Sequence, residues 1–374
     1  MLRFALKTLL ADRGKLLTAL VGVIFSLVLV NVQGGLFLGL IQKASLLVDH
    51  CDADIWVGHR GLENADFPDE LPETWLNRIR GLDGVERAEP YIVGPGTMTL
   101  TNGEYEEVWV IGSDPVSMIG SAWSFAEGGP EDLHRPHGIS VEAVEAWKLG
   151  NPKVGDLVEI NDAKAKVVAI TQGIVGFLTT PYVFTTLESA RTFTLTREGF
   201  CSYFLVKAKP NADVERLRDE IQALLPKTDV HTAAGLSRTS RVYWMLRTGI
   251  GISFGTATIL GLLVGLVMVA QSLYALALDH LTEYATLKAI GAEDGHVYRV
   301  LLIQAITIAV LGIVLGVCLV FVIQAVGSTP YAPIEIPPWL LAGGIVLVLA
   351  ICLFACVLPF RRIRTVDPAT ALQG

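Results

Sequence analysis

Asp279–Ala292, DHLTEYATLKAIGA, is a short charged stretch walled by apolar sequence on both sides. Thr248–Leu278 before it and Val300–Ser328 after it carry no charged residue. Each is long enough to cross a bilayer, whose hydrocarbon core takes about 20 apolar residues of helix. A charged connector between two such spans has to sit at a membrane face. Within it Glu283, Ala285, Leu287, Lys288, Ile290 and Gly291 read as a short amphipathic helix with a glycine stop, and Ala292 follows it. Leu287 and Ile290 are placed to enter a groove while Glu283 and Lys288 stay in water, and Gly291 accepts the left-handed conformation that ends a helix.

Working outward, two more uncharged runs appear, Leu16–Gln42 and Pro337–Phe360. The chain is 52% hydrophobic and 18% charged over 374 residues, with a mean hydropathy of +0.50. That excludes an ordinary soluble protein and predicts an α-helical membrane protein with four transmembrane helices in a 1+3 arrangement. The large region between the first two spans has soluble composition and is long enough for its own core. Residues 43–247 hold 20 Lys and Arg against 30 Asp and Glu. The short ends are basic: Arg3, Lys7, Arg13 and Lys15 precede the first span, and Arg361, Arg362 and Arg364 follow the last. Basic ends and an acidic large region predict both termini in the cytoplasm and the large domain outside it.

The expected order is a cytoplasmic amphipathic segment (1–15), a first span (16–42), an extracytoplasmic α+β domain (43–247), a second span (248–278), the connector (279–299), a third span (300–326), an outer loop (327–337), a fourth span (338–358) and a cytoplasmic tail (359–374). Thr248–Leu278 makes about 46 Å of continuous helix at 1.5 Å per residue, so projection beyond the membrane is expected. In the large domain, Asp54–Val57, a helix at Pro72–Ile79 and a strand at Val85–Leu100 form one β-α-β unit. Cys201–Ala208, a helix at Asn211–Leu225 and Asp229–Thr232 form a second. Two such units around an insert at about 112–186 predict a split α+β domain with a small barrel-like lobe, in which Ile139–Gly150 is read as a helix.

Candidate chemistry is sparse. No GxxxxGK[ST] phosphate loop occurs, so this chain has no such cradle for ATP. His134 and His137 lie in a Gly- and Pro-rich stretch that reads as solvated loop, and no serine has a paired histidine at a recognisable spacing. No catalytic, cofactor-binding or metal residue is expected, and no nucleic-acid site. Gln271, Gln304 and Gln324 are the polar residues of the later spans, and packing between protomers is the expected use. Cys51 and Cys201 share the large domain, and their pairing stays open on sequence alone.

EYATLKAIGA followed by YRVLLIQAI resembles the cytoplasmic connector of FtsX/MacB-type permeases of ABC transporters, through Glu283, Leu287, Lys288, Ala289, Gly291, Ala292 and Gln304. The tail resembles that family's ending at Pro359, Ile363, Asp367, Pro368, Ala371 and Leu372. Gly138–Ile160 is similar to a stretch of the MacB-like periplasmic core domain, although Asn151–Lys153 departs from the usual spacing, and the first span resembles the DevC subgroup. The resemblance implies a non-catalytic permease subunit of the bacterial inner membrane, with the connector docking on a separate ABC ATPase that uses ATP and Mg²⁺. It implies a homodimer or a pair with a related permease. A HlyD-like membrane-fusion adaptor and an outer-membrane channel are further implied partners. The expected function is mechanotransmission for export of a lipid, lipoprotein, peptide or small molecule. The alternative is an FtsX-like regulator of an extracytoplasmic cell-wall hydrolase, with no cargo.

Overall fold

The computed structural model describes residues 2–100, 102–280 and 294–364, with Thr282 and Thr286. The chain divides into a helical unit, residues 1–39 and 250–374, and an α/β unit, residues 40–249.

The helical unit opens with α1 (Leu2–Ala11), a break at Asp12, and α2 (Arg13–Lys43). It continues after the α/β unit with α8 (Ile250–Asp279), α9 (Asp294–Gly327), α10 (Pro338–Ala355) and α11 (Val357–Arg364). Four helices, Arg13–Lys43, Ile250–Asp279, Tyr298–Gly327 and Pro338–Arg361, are long and apolar enough to cross a membrane. Helix α2 is their hub, because glycines on the three other helices let them approach it closely. A Cβ on Gly265 of α8 would lie 1.6 Å from the Ser26 hydroxyl of α2, so any side chain there has to displace that hydroxyl. Gly312 of α9 meets Val23, and Gly344 of α10 meets Asn31, at 2.5 Å by the same measure. Apolar side chains gain nothing by leaving lipid for protein, so close backbone approach of this kind is what drives such helices together.

In the α/β unit, α2 leads to a short α3 (Leu46–Asp49), β1 (Ile55–His59), β2 (Leu71–Pro72), α4 (Leu76–Arg80), β3 (Val85–Thr99) and β4 (Tyr105–Ser113). The insert adds β5 (Phe125–Glu127), β6 (Gly138–Glu142), β7 (Leu157–Ile160), β8 (Ala163–Thr171), β9 (Tyr182–Thr186) and α5 (Leu187–Thr194). The chain returns through β10 (Phe200–Cys201), β11 (Tyr203–Ala208), α6 (Val214–Leu224), β12 (Thr228–Thr232) and α7 (Ala233–Leu246). The order β12-β1-β11-β3 is antiparallel throughout and interleaves the two β-α-β units, which is the split α+β arrangement. Strand alternation sets the two faces. Ile55, Val57, Phe204 and Val206 pack with Ile79, Leu217 and Ile221 of α4 and α6. Trp56, Tyr91, Tyr203 and Leu205 face the other way and form a second core.

Strand β3 joins the lobes: Val85–Tyr91 pairs with β11, and Ile92–Thr99 pairs with β4. Beyond it the insert curls through β7 and β8 to β6, while β9 runs parallel to β4. The curl closes on side chains: Thr185 Oγ1 donates to the Gly138 carbonyl at 2.7 Å and Ser140 Oγ accepts from the Phe184 amide at 3.3 Å. The lobe is thus barrel-like, as its short strands suggest.

Ile139–Gly150 is not a helix. Gly138–Glu142 is a strand whose five residues are all buried, and only Ala146–Leu149 turns, as a single 3-10 segment ended by left-handed Gly150. A fully buried parallel strand shows no alternation, and a short apolar run is then ambiguous between helix and strand. The continuous helix expected from Thr248 also breaks: Gly249 has φ +74° between α7 and α8.

Candidate functional site

All six candidate contacts, Glu283, Leu287, Lys288, Ile290, Gly291 and Ala292, lie outside the described residues, as do Ala289 and the tail from Thr365. What surrounds them is well defined. Asp279 ends α8, and its carboxylate accepts from Lys15 of α2, whose ammonium also contacts Asp12 at 3.1 Å. On the other side, Tyr298 of α9 stacks edge-on against Phe360 of α11 with centroids 4.9 Å apart. The Cys356 thiol donates to the Leu301 carbonyl at 3.6 Å. Helix α1 is held to α9 by Gln304 Nε2, which donates to Thr8 Oγ1 at 2.9 Å beside buried Leu9. Both helices that bracket the connector are therefore anchored within a few residues of it.

The amides find partners inside the chain. Gln304 bonds Thr8, and Gln324 Nε2 donates to the Ile334 carbonyl at 3.0 Å. Both side chains are thus held within the chain. Only Gln271 is exposed. Asn31 is fully buried and donates to the Leu27 carbonyl of its own helix at 2.8 Å. Its amide plane lies against Gly344, a reason for that glycine that sequence spacing does not reveal.

In the α/β unit, the chain leaving α2 and the chain entering α8 are clamped together. Arg241 of α7 reaches Asp49 of α3 at 2.6 Å and Ser45 at 2.8 Å, while Ser45 Oγ donates to Asp49 at 2.7 Å. Arg247 pairs with Glu63 at 2.8 Å. Trp244 Nε1 donates to Asp66 at 3.0 Å within a cluster of Phe67, Phe177 and Tyr243. Burial among these groups pushes the Asp66 carboxyl up to about 6, against the hydrogen bonds from Trp244 and Asn64 that favour its charge. Sequence reading assigned α7 no element, although Thr232 caps its first turn by accepting from Gly235.

Cys51 and Cys201 are both free and buried, one in each core, with thiols pushed up to about 12 by burial. The two cores lie on opposite faces of the sheet, which separates the pair. Among the described residues no group of His, Cys, Asp and Glu is arranged to hold a metal. His134 contacts Met118, and His137 lies against Phe193.

Four apolar helices packed through glycines, with an α/β domain inserted after the first, define a class of membrane subunit. Residues 16–224 match the MacB-like periplasmic core domain, and residues 255–368 match the FtsX-like permease C-terminal domain. The chain belongs to the ABC transporter permeases of the FtsX/MacB type. It is 26% identical, over 94% of its length and 93% of the relative's, to an uncharacterized ABC transporter permease of Mycobacterium tuberculosis. It is 25% identical to one of Methanocaldococcus jannaschii over 59% of this chain and 58% of that one. Among solved structures, the periplasmic region of MacB from Actinobacillus actinomycetemcomitans aligns with 50% of this chain and 92% of its own, at TM-score 0.37 and 10% identity. The extracellular domain of YknZ from Gram-positive bacteria aligns with 48% and 99%, at TM-score 0.36 and 14% identity. Membrane helices and a periplasmic-type domain fit a protein of the inner membrane.

Proposed function

We propose that this permease transmits the state of a separate ABC ATPase to its α/β domain, and that the connector around Glu283, Leu287, Lys288, Ile290, Gly291 and Ala292 is the ATPase contact. The observation that supports this most is the anchoring of both flanking helices. Lys15–Asp279 ties the last residue of α8 to α2, and Gln304–Thr8 ties α9 to α1. A displacement of the connector is then passed into the bundle rather than absorbed at its edge. The clamp of Arg241 on Asp49 and Ser45 favours the same reading, because it makes the chain leaving α2 and the chain entering α8 respond together.

Both termini are then cytoplasmic, consistent with basic ends and an acidic 43–247 region, and the chain crosses the inner membrane four times. The partner ATPase uses ATP and Mg²⁺, and this chain holds neither. Two permease chains, identical or related, pair with two ATPase chains. One protomer's four helices pack directly against one another, so the cargo (a lipid, lipoprotein, peptide or small molecule) is moved by the outer domain. An adaptor of the HlyD-like class and an outer channel complete the export route.

The test has two arms. Leu287→Asp and Gly291→Pro should each abolish stimulation of ATP hydrolysis by the reconstituted permease while the chain still inserts in membranes. Normal stimulation in both would overturn the coupling role. Purification from native membranes in mild detergent should bring down an ATPase with an adaptor. An ATPase with a cell-wall hydrolase instead would replace export by regulation of that hydrolase.

A further inference from the structure

The outer edge of β4 is half bare. Strand β9 covers it only from Trp109 onward, where the Trp109 amide donates to the Pro181 carbonyl at 2.9 Å. Before that point the covering chain is lost: Pro181 has no N–H to continue a ladder, and Thr179, at φ +57°, turns the backbone away. The hairpin register tells which groups are left over. The Leu100 amide donates to the Glu104 carbonyl at 2.8 Å, so Glu104, Glu106 and Val108 are the residues bonded to β3. Tyr105 and Glu107 therefore turn their N–H and C=O outward, as Trp109 does where β9 receives it.

An acidic strand edge by itself is an ordinary guard against aggregation. This one is flanked by features that a guard would omit. Tyr105 is 70% exposed and Trp147 63% exposed. The two line one open groove of about 700 Å³, together with Leu100, Glu104 and Glu106. Leu157, 68% exposed, lines an adjoining groove of about 530 Å³. Among the described residues the carboxylates of Glu106 and Glu107 have no ion-pair partner.

We propose that Tyr105–Val108 is a strand-addition site for an extended basic segment of a partner protein. The backbone of that segment bonds Tyr105 and Glu107; on the face that Tyr105 and Glu107 share, an apolar side chain rests on Tyr105 and the next same-face Lys or Arg meets Glu107, while on the opposite face another Lys or Arg meets Glu106 beside Trp147. Main-chain bonds supply affinity in such docking, and alternate side chains supply specificity. A second copy of this chain is disfavoured, because antiparallel pairing of two such edges sets Glu106 or Glu107 against a glutamate of the other copy. The inference makes no use of ATPase coupling, so failure of the connector variants leaves it standing.

The experiment uses the full-length protein in nanodiscs and a short synthetic peptide of repeated Lys-Lys-Val-Tyr, which puts a Lys and an apolar side chain on each face of the added strand. Binding is followed by fluorescence anisotropy and by amide hydrogen exchange. The peptide should bind and slow exchange at the Tyr105 and Glu107 amides. Its counterpart N-methylated at alternate residues should bind at least about tenfold more weakly, as loss of two or more hydrogen bonds requires. Glu107→Pro removes an outward N–H without touching the β3 ladder and should weaken binding by a similar factor, whereas Glu107→Gln keeps the donor and should weaken it less. Equal binding of the N-methylated peptide, unchanged binding to Glu107→Pro, or no binding at all would overturn the proposal. Protection of these amides that rises with protein concentration in the absence of peptide would overturn it in favour of self-association.

Discussion

The helical unit and the α/β unit solve the packing problem in opposite ways. The α/β unit buries large side chains: Trp56, Tyr91, Tyr203, Phe184, Phe193 and Phe204 are among its most enclosed residues. The helical unit closes on glycine: Gly265, Gly312 and Gly344 each sit where a Cβ would strike the hub helix α2. Water explains the difference. Removing apolar surface from water favours bulk, at roughly 25 cal/mol per Å². In lipid that gain is absent, and contact between backbones takes its place. The polar groups do not follow this division, since unpaired buried atoms occur in both units, Trp56 Nε1 and Glu145 Oε2 among them in the α/β unit. The Glu142 carboxylate, fully buried in the α/β unit, accepts from Thr171, Gly173 and Ile174. Asn31 and Gln304 in the bundle each leave their amide oxygen without a partner.

This contrast can be broken from either side. The largest effect is expected from Gly265→Leu, which forces α8 off Ser26 and Gly22. The cost should reach about 3 kcal/mol, the upper end of overpacking, since the Ser26 side chain has to be displaced and the Gly22 carbonyl lies behind it at 3.1 Å. Thermal unfolding of the bundle in detergent should show the loss, while amide exchange in the core strands of the α/β unit stays at its wild-type rate. The converse change is Ile79→Ala, which empties the space between α4 and the sheet. It should cost about 2–5 kcal/mol, read as faster exchange across β1, β3 and β11. Bundle melting should not follow. If either substitution destabilises both units equally, they are not independent folding units, and the comparison fails.

Asp66→Asn gives the smallest effect and sharpens the comparison by pH. With its folded carboxyl near 6 against an ordinary 3.8, Asp66 holds a proton in the folded chain where the unfolded chain has lost it. Its contribution to stability is fullest below 3.8 and is lost as the pH rises through 6. Asparagine keeps an acceptor for Trp244 and carries no charge. The variant should therefore melt a few degrees above wild type at pH 7.5, and that gap should close by about pH 4. A gap of constant size across that range would remove Asp66 as its source.

Much of the fold was legible because period and composition carry it. The four uncharged runs end within a few residues of the observed helices, and both β-α-β units appear where the apolar alternation puts them. The failures share a cause. Gly138–Glu142 is buried on all sides, so its strand has no polar face to mark a period of two. Gly249 looks like one more small residue in an apolar run, and only its positive φ makes it a break. The candidate connector was found entirely by local pattern, whereas its anchors were not. Lys15 and Asp279 are 264 positions apart, and nothing local to either marks the other.

The sequence by itself determined that this chain carries four helices long and apolar enough to cross a membrane, and that an α/β domain follows the first of them. Hydropathy and periodicity are sums over neighbouring residues, so a linear reading captures them. Tertiary structure alone decided that α2 is the hub, that Gln304 meets Thr8, that Arg241 clamps α3 to α7, and that β4 keeps a bare edge. Each of these depends on which residues distant in the chain come within a few ångströms, and the energy of such contacts falls off too steeply with distance for composition to encode them.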